Sequence, residues 1–296
     1  MLNEQIDHIF TLQKNYKFKA KKTSAKYRIE KLEKAKEVII KLQPKIEQAM
    51  VKDFGKAPLE SDLTEILPLL TMIDLYKKKL KAWMKPKKVS SSLLFLGTKN
   101  YVSYEAKGNC LVISPWNYPF QLSLYPVLTA FSAGNTVILK PSEYTPETNK
   151  VVEEIIIKVF LPEEVSVVHG AVEASNLLLE KAFDHIFFTG STPVGKIIME
   201  KASKHLASVS LELGGKSPVV IDKSFSLKEA ARNIAWGKLV NAGQTCVAPD
   251  YIMLPKGEKD KFAKYYEQAL KHMYGKNISG SNDFCRIITK RHLERQ

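Results

Sequence analysis

The chain has 296 residues, which exceeds a typical single domain and allows one large domain or two modest ones. Its 45% hydrophobic residues are ample for a real core, and three widely spaced cysteines argue against a disulfide framework. The formal charge of +14 is uneven, because residues 1–100 hold 22 Lys and Arg against 11 Asp and Glu.

Residues from about 4 to 86 are predicted to form helices with short breaks, some of them at prolines such as Pro44 and Pro86. The densest basic run in this region spans residues 77–81 and continues to Lys88. Such a run can contact nucleic acid or an anionic membrane, but a solvated helix face is the favoured interpretation. Neither zinc-binding spacing nor an RNA-stacking or helix-turn-helix pattern accompanies the charge, so no nucleic-acid partner and no metal are expected. A membrane surface remains an alternative that nothing in the sequence requires.

Residues 93–106 alternate enough to predict a ribbon of paired strands, whose exposed edges can pair with another segment or chain. From Cys110 onward, short apolar runs alternate with amphipathic stretches. This pattern predicts an α/β fold with a doubly wound, Rossmann-like parallel sheet covered on both faces. The predicted strands are Cys110–Ser114, Thr136–Leu139, Val165–Val168, His185–Phe188 and Ser208–Leu211, and the clearest helices are Glu147–Phe160 and Val194–His205.

A second α/β region begins near residue 212 and contains a strand at Pro218–Ile221, a helix at Leu227–Val240 and a strand at Tyr251–Leu254. The chain is therefore divided into residues 1–211 and 212–296. Thr289 is predicted to be the N-cap of a last helix, yet the sequence stops at Gln296 after fewer than three turns. Because the second region also looks too small for a complete core, an interrupted chain is expected.

Polar residues follow the first predicted strand in the run Ser114-Pro115-Trp116-Asn117-Tyr118-Pro119-Phe120. The Asn117 amide can stabilise a developing oxyanion. Asn beside prolines is also a common turn residue, and taken alone the turn interpretation is favoured.

A second polar turn follows the strand Thr136–Leu139. Ligands of open α/β sheets bind beyond the carboxyl ends of strands, so Lys140 and Glu143 can hold the hydroxyls of a nucleotide ribose. A carboxylate at the 2′-hydroxyl favours NAD over NADP. The alternative is an ordinary helix start with capping residues.

The run from His185 to Gly195 predicts a strand, a glycine turn and a helix start. Free N–H groups at such a helix terminus suit a pyrophosphate, and Gly190 allows close approach. Ser191 or Thr192 can cap the helix. The spacing between the glycines is not that of the dinucleotide fingerprint, and glycines also serve plain strand-to-helix turns.

Two further residues have the chemistry of covalent sulfur catalysis. Cys246 lies in the small-residue loop Ala242-Gly243-Gln244-Thr245-Cys246, unlike Cys110, which is predicted to be buried within an apolar strand. Glu212 ends an apolar strand, where a solvated carboxylate is unusual. A thiol nucleophile and a proton-accepting carboxylate are what a thioester mechanism with hydrolysis requires. Cys285 has no such context and is expected to be inert.

The beginning of the chain lacks the basic-then-apolar order of a signal peptide, and no apolar run approaches bilayer-spanning length. With few cysteines, these features favour a cytoplasmic location.

Together these runs resemble the aldehyde dehydrogenase superfamily, over essentially the whole chain. Five motifs occur in the family's order, which is far more specific than any one of them. Residues 120–126 and 241–251 look most like the class three branch of fatty and aromatic aldehyde enzymes. The matching runs are Pro115-Trp116-Asn117, Lys140-Pro141-Ser142-Glu143, Phe188-Thr189-Gly190-Ser191, Glu212-Leu213-Gly214-Gly215-Lys216 and Gly243-Gln244-Thr245-Cys246.

The resemblance implies NAD(P)-dependent oxidation of an aldehyde to a carboxylic acid through a Cys246 thioester, with NAD as cofactor and NADP as the alternative. It implies that Asn117 stabilises the oxyanion and that Glu212 activates the hydrolytic water. Residues 1–211 become the N-terminal helices and cofactor-binding domain, and 212–296 a partial catalytic domain. The implied cofactor-binding residues are Trp116, Lys140, Glu143, Gly190, Ser191, Gly195 and Leu213.

The departure from the family is the region beyond residue 296, where members continue for about half as long again. That region carries a Glu-x-Phe-Gly-Pro segment for the nicotinamide ribose and a strand used in oligomerisation. Two functions follow. One is a working dehydrogenase, as a homodimer or completed by a separate C-terminal fragment. The other is a truncated, inactive remnant that still binds nucleotide or a partner. A coenzyme A-dependent acyl transferase is less favoured, because Glu212 supports hydrolysis.

Overall fold

The computed structural model describes residues 2–294. The chain begins with helices, as predicted, and α2 continues through Pro44 without a break. Buried side chains on both sides of that proline, including Ile39 and Ile46, hold the helix together by packing. The first helices are α1 (Leu2–Lys21), α2 (Ala25–Phe54), α3 (Pro58–Ser61), a π-helical turn (Asp62–Ile66) and α4 (Leu67–Trp83).

A short antiparallel ribbon follows α4. Its strands are β1 (Lys87–Val89) and β2 (Asn100–Val102), so the ribbon begins earlier than residue 93, where the alternation predicted it. The apolar run that suggested a strand instead forms a 3₁₀ turn at Leu93–Phe95 between the two strands. Leu93 and Leu94 are 89% and 91% exposed there, so burial does not impose a strand on them.

The predicted parallel sheet is present, with the order β5-β4-β3-β6-β7. The chain winds outward from β3 in one direction and then returns to build β6 and β7 on the other side. The switch point therefore lies between β3 and β6, where open sheets of this type bind ligands. The strands are β3 (Asn109–Ile113), β4 (Thr136–Lys140), β5 (Val165–Val167), β6 (His185–Gly190) and β7 (Ser208–Leu213), the last two each extending two residues beyond their predicted ends.

Helices cover both faces of the sheet, because alternate strand residues point to opposite sides. Leu111 and Ile186 pack with α1, α7 and α8, whereas Val112 and Leu139 pack with α2, α4, α5 and α6. The covering helices after β3 are α5 (Gln121–Ser132), α6 (Pro146–Val159), α7 (Val172–Leu179) and α8 (Thr192–Ser203).

The second region is small. Its two parallel strands have no further paired strand among residues 2–294, and its buried core is a handful of side chains around Ile234 and Phe262. Val220 and Trp236 are 71% and 66% exposed on it. Its elements are β8 (Ser217–Val220), α9 (Leu227–Leu239), a 3₁₀ turn (Val240–Gly243), β9 (Pro249–Met253), α10 (Lys259–Tyr274), a 3₁₀ turn (Ile278–Gly280) and α11 (Lys290–Glu294).

Thr289 is the start of α11, as predicted, since its Oγ1 accepts a hydrogen bond from the backbone N–H of His292 at 3.2 Å. Within residues 2–294, no helix combines the length and the apolar character that crossing a bilayer requires.

Candidate active site

Most of the predicted site residues lie at the carboxyl edge of the parallel sheet, either at the ends of strands or in the loops that follow them. In the strand register, Ile113 pairs with Lys140 on one side and with Phe188 on the other, and Thr189 pairs with Glu212. The loops that follow β3, β4, β6 and β7 therefore leave the sheet along one edge. This edge carries every predicted site residue outside the Cys246 loop and helix α8.

The Cys246 loop has an unusual backbone. Asn241, Ala242 and Gly243 all have positive φ, at 57°, 51° and 74°. Two consecutive non-glycine residues in the left-handed region are rare, and such strain persists only where the surroundings over-determine it. The turn ends α9 and leads directly into the loop that carries the cysteine.

Of the three cysteines, Cys246 is exposed and the other two are buried. Burial raises the pKa of the Cys110 and Cys285 thiols to about 12, which keeps both protonated and unreactive near neutral pH. Cys246 is therefore the one cysteine of the three that a solvent-borne reagent can reach.

Gln244 is the centre of the hydrogen bonds that fix this loop. Its Nε2 donates to the backbone carbonyls of Asn241 at 3.0 Å and Arg286 at 3.1 Å, and its Oε1 accepts from the Ile288 N–H at 3.0 Å. A single side chain therefore ties the turn before Cys246 to the segment that precedes α11.

Asn117 reaches the same loop, 127 residues away in sequence. Its Nδ2 donates to the Gln244 backbone carbonyl at 2.8 Å. The backbone carbonyl of Asn117 accepts from Nδ2 of Asn241 at 2.7 Å. An amide nitrogen carries two hydrogens, so the first of these bonds orients the group and uses only one of them. The bond to Gln244 leaves the second hydrogen of this amide as a further donor.

The loop after β7 comes close to Cys246 as well. A methyl group at Gly215 would lie 2.6 Å from the Cys246 carbonyl oxygen, and Ser217 pairs with Pro249 in the β8–β9 ladder. Three residues of extended chain span at most about 11 Å, so the Glu212 backbone is within that distance of Gly215. The Glu212 side chain is exposed, contrary to the expectation that a carboxylate at this strand end is unlikely to be solvated.

Lys140 and Glu143 form an ion pair at the end of β4. Lys140 Nζ lies 3.0 Å from Glu143 Oε2, with 5% of the lysine side chain and 34% of the glutamate side chain exposed. The buried lysine thus orients a carboxylate that faces solvent at the ligand-binding edge. Both residues lie at the end of β4, one in the strand and one in the loop that follows it.

The start of α8 is open to a ligand. Ser191 is its N-cap residue but makes no side-chain capping bond, and the first residues of the helix are exposed. The structure adds another reason for Gly190, since a Cβ there would lie 2.4 Å from the Phe188 ring. Gly195 is buried and lets α8 approach the Leu213 side chain, because a Cβ there would lie 2.9 Å from Leu213 Cδ2.

These features fit a dinucleotide. Uncapped N–H groups at a helix start suit a pyrophosphate, and an ion-paired carboxylate at the end of a neighbouring strand suits ribose hydroxyls. The two sites flank the loop that carries Trp116 and Asn117, because β3 lies between β4 and β6.

Two residues of the site were not predicted from the sequence. His292 of α11 lies against the Trp116 ring, with centroids 4.8 Å apart, and near the Tyr144 ring at 6.4 Å. Asn241 is fully buried and joins both loops. A signal for Asn241 was available, because Asn before a small residue and Gly commonly adopts positive φ. No local pattern marks His292.

Comparison with known proteins agrees with this geometry. A family model described as "Aldehyde dehydrogenase family" matches residues 2–296. The chain is 42% identical to 4,4'-diaponeurosporen-aldehyde dehydrogenase of Staphylococcus aureus, over 91% of this chain and 59% of that protein. It is 40% identical to aldehyde dehydrogenase family 3 member A2 of Macaca fascicularis, over 91% of this chain and 56% of that protein.

A solved structure of Staphylococcus aureus AldH in a substrate-bound state superposes with a TM-score of 0.94 and 39% identity, covering 98% of this chain and 63% of that one. A Mycobacterium tuberculosis aldehyde dehydrogenase complexed with NAD⁺ has the same fold, with a TM-score of 0.88 at 21% identity. The chain spans about three fifths of the length of the relatives it matches. On the family model and these identities, this chain belongs to the aldehyde dehydrogenase family.

Proposed function

We propose that this chain carries the nucleophile and the cofactor-binding half of an NAD-dependent aldehyde dehydrogenase, which oxidises an aldehyde to a carboxylic acid. The observation that carries the proposal is the meeting of three loops around the backbone of the Cys246 loop, whose cysteine is exposed. Asn117 is hydrogen-bonded to the residue two before Cys246, and Gly215 lies against the Cys246 carbonyl. Family membership supports the same chemistry.

In this proposal the Cys246 thiolate attacks the aldehyde carbonyl, so a C–S bond forms and the carbonyl oxygen becomes an oxyanion. The free hydrogen of the Asn117 amide and the Cys246 backbone N–H donate to that oxyanion. Loss of hydride then leaves a thioester on Cys246. Glu212 takes a proton from water, which attacks the thioester, breaks the C–S bond and releases the acid and the thiolate.

NAD, when bound, supplies the hydride acceptor. Lys140 and Glu143 would hold the adenosine ribose, and the Gly190–Ser191 turn with the start of α8 would hold the pyrophosphate. Trp116 and Leu213 would border the cofactor, and Gly195 in α8 would lie beside the pyrophosphate. NADP is the alternative, and the carboxylate of Glu143 disfavours its 2′-phosphate.

The test is NADH formation from medium- and long-chain aldehydes by the purified chain, alone and with the C-terminal third of a family member. Cys246→Ala should abolish turnover. Glu212→Gln should still form NADH in a first burst but should lose steady-state turnover, because only the hydrolysis of the thioester needs the base. Unchanged turnover in Cys246→Ala would remove the nucleophile from the mechanism. No NADH from the unaltered chain under either condition, with NAD still bound, would favour the inactive remnant.

We also infer partners from the surfaces of the second region. The exposed Val220 and Trp236 beside the two-stranded sheet support completion by a C-terminal segment, supplied by a longer chain or a separate fragment. Homodimerisation is the other arrangement we propose, tested by sedimentation with and without that segment. A membrane surface as the source of long-chain aldehyde remains a proposal, tested by flotation with anionic vesicles. The need to keep Cys246 reduced supports a cytoplasmic location.

A further inference from the structure

A fully buried ion pair contacts the Asn117 loop and is connected through that loop to the Cys246 loop. Lys56 follows α2, and its Nζ lies 2.7 Å from Oε1 of Glu65 in the π-helical turn. Neither side chain has any exposed surface. Desolvation of two charges offsets much of their attraction, so such a pair is weak evidence for a contribution to stability. Its other contacts indicate a different role.

Glu65 holds the segment that carries Asn117. Its Oε2 accepts hydrogen bonds from the backbone N–H groups of Phe120 and Gln121, both at 3.0 Å. These residues begin α5, which has no side-chain cap from its own N-cap residue. A carboxylate at this position satisfies N–H groups that the helix cannot and interacts favourably with its dipole. Glu65 therefore fixes the point where the Asn117 loop enters α5.

Lys56 is connected to the Cys246 loop through Tyr118. Its Nζ lies 4.3 Å from the centroid of the Tyr118 ring, within range of a cation–π interaction. The Tyr118 hydroxyl and Thr245 Oγ1 are 2.6 Å apart, and Thr245 directly precedes Cys246. Burial raises the pKa of Tyr118 to about 12, so its hydroxyl is protonated at neutral pH.

A second carboxylate beside Lys56 holds the turn before the cysteine. Glu60 Oε1 accepts from the Asn241 backbone N–H at 2.6 Å. Burial raises the pKa of Glu60, and the positive charge of Lys56 opposes that rise. Lys56 thus favours the ionised form of the carboxyl that anchors Asn241.

We propose that Lys56 and Glu65 are positioning residues that set the Asn117 amide relative to the Cys246 sulfur, through Tyr118 and the start of α5. The proposal rests on the proposed function, because the relative position of these groups matters when both act on one carbonyl. Misplacing a catalytic group by about 1 Å can cost on the order of 100-fold in rate.

The test variant is Lys56→Met/Glu65→Met, which removes both charges together and leaves no unpaired buried charge. Tyr118→Phe is the second variant, since it keeps the ring over Lys56 and removes only the hydroxyl bonded to Thr245. The matched control is Lys31→Met/Glu164→Met. That pair is also largely buried at 2.9 Å, and Glu164 likewise accepts from a backbone N–H, but it lies between α2 and the segment before β5.

If the unaltered protein is active, we expect the Lys56/Glu65 variant to lose about 100-fold in kcat and Tyr118→Phe to lose less. The KM for NAD in both variants, and the kcat of the control, should stay near the values of the unaltered protein. Wild-type kcat in the Lys56/Glu65 variant would overturn the proposal. If the unaltered protein forms no NADH, the proposed function fails separately. The rate of Cys246 alkylation by iodoacetamide then tests the positioning proposal, since the other cysteines are buried. A rate changed in the Lys56/Glu65 variant but not in the control supports the proposal, and equal rates in both overturn it. A pH–rate profile displaced in the Lys56/Glu65 variant but not in the control supports positioning, and superimposed profiles refute it.

Discussion

Gly215 and Gly214 are neighbouring glycines with opposite surroundings, and alanine substitution should separate them. A Cβ at Gly215 would lie 2.6 Å from the Cys246 carbonyl oxygen, whereas one at Gly214 would have no heavy atom within 4 Å. Neither residue has positive φ, so alanine can adopt both backbone conformations. The atom in the way at Gly215 belongs to the backbone, which cannot rotate aside as a flexible side chain can.

The size of the effect follows from the overlap. Restoring ordinary van der Waals contact at 3.4 Å requires the two segments to separate by ~0.8 Å. Overpacking of this kind costs about 1–3 kcal/mol of unfolding free energy. Gly214→Ala should instead be neutral or stabilise by up to about 1 kcal/mol, because alanine restricts the unfolded chain.

Urea unfolding of the two variants measures the difference directly, provided that their m-values agree. We expect Gly215→Ala to be the less stable by about 1–4 kcal/mol. Since the displaced carbonyl is that of Cys246, turnover should fall with it and should not recover when stability is restored by NAD. Equal midpoints for Gly214→Ala and Gly215→Ala would show that the β7 loop does not lie against the cysteine as described.

Three further outcomes are expected. Asn241→Ala should lose about 1–3 kcal/mol by urea unfolding, because its buried amide donates to carbonyls of both site loops; stability within 0.5 kcal/mol of wild type would contradict this. The Cys110 and Cys285 thiols have folded pKa values of about 12, above the ordinary value of about 9, so they stabilise the fold fully below pH 9. Because the thiols ionise in the unfolded chain, each should lower the free energy of unfolding by about 1.4 kcal/mol by pH 10. Cys285→Ala should make this decline with pH less steep in urea unfolding. Glu143→Gln should raise NADP use relative to NAD in steady-state assays, and an unchanged ratio would exclude a ribose contact.

The order of strands and helices could be predicted from the sequence because the buried strands are continuous apolar runs bounded by turn residues. Val137, Ile138 and Leu139 are completely buried, as a strand covered on both faces must be. The ribbon was misplaced, since Leu93 and Leu94 are apolar yet exposed and periodicity carries no information about burial there. Pro44 was taken as a break, but tertiary packing keeps the helix intact.

For the site, the sequence predicted Cys246 as the nucleophile from its small-residue loop and Glu212 as the base from its position at a strand end. It could not identify Lys56, Glu65 or His292. Their contacts with the site are made through space, by residues far apart in the chain, and each would be an ordinary surface residue by composition alone.

The bonds that assemble the site span very long stretches of chain. Asn117 and Gln244 are 127 residues apart, and Glu60 and Asn241 are 181 apart. Contacts between such distant partners close late in folding, after local helices and neighbouring strands have formed. We expect these contacts also to open first when the protein is warmed, because few buried side chains support the region around α9 and α10. Mild heating should therefore abolish turnover at Cys246 while circular dichroism still reports an intact parallel sheet.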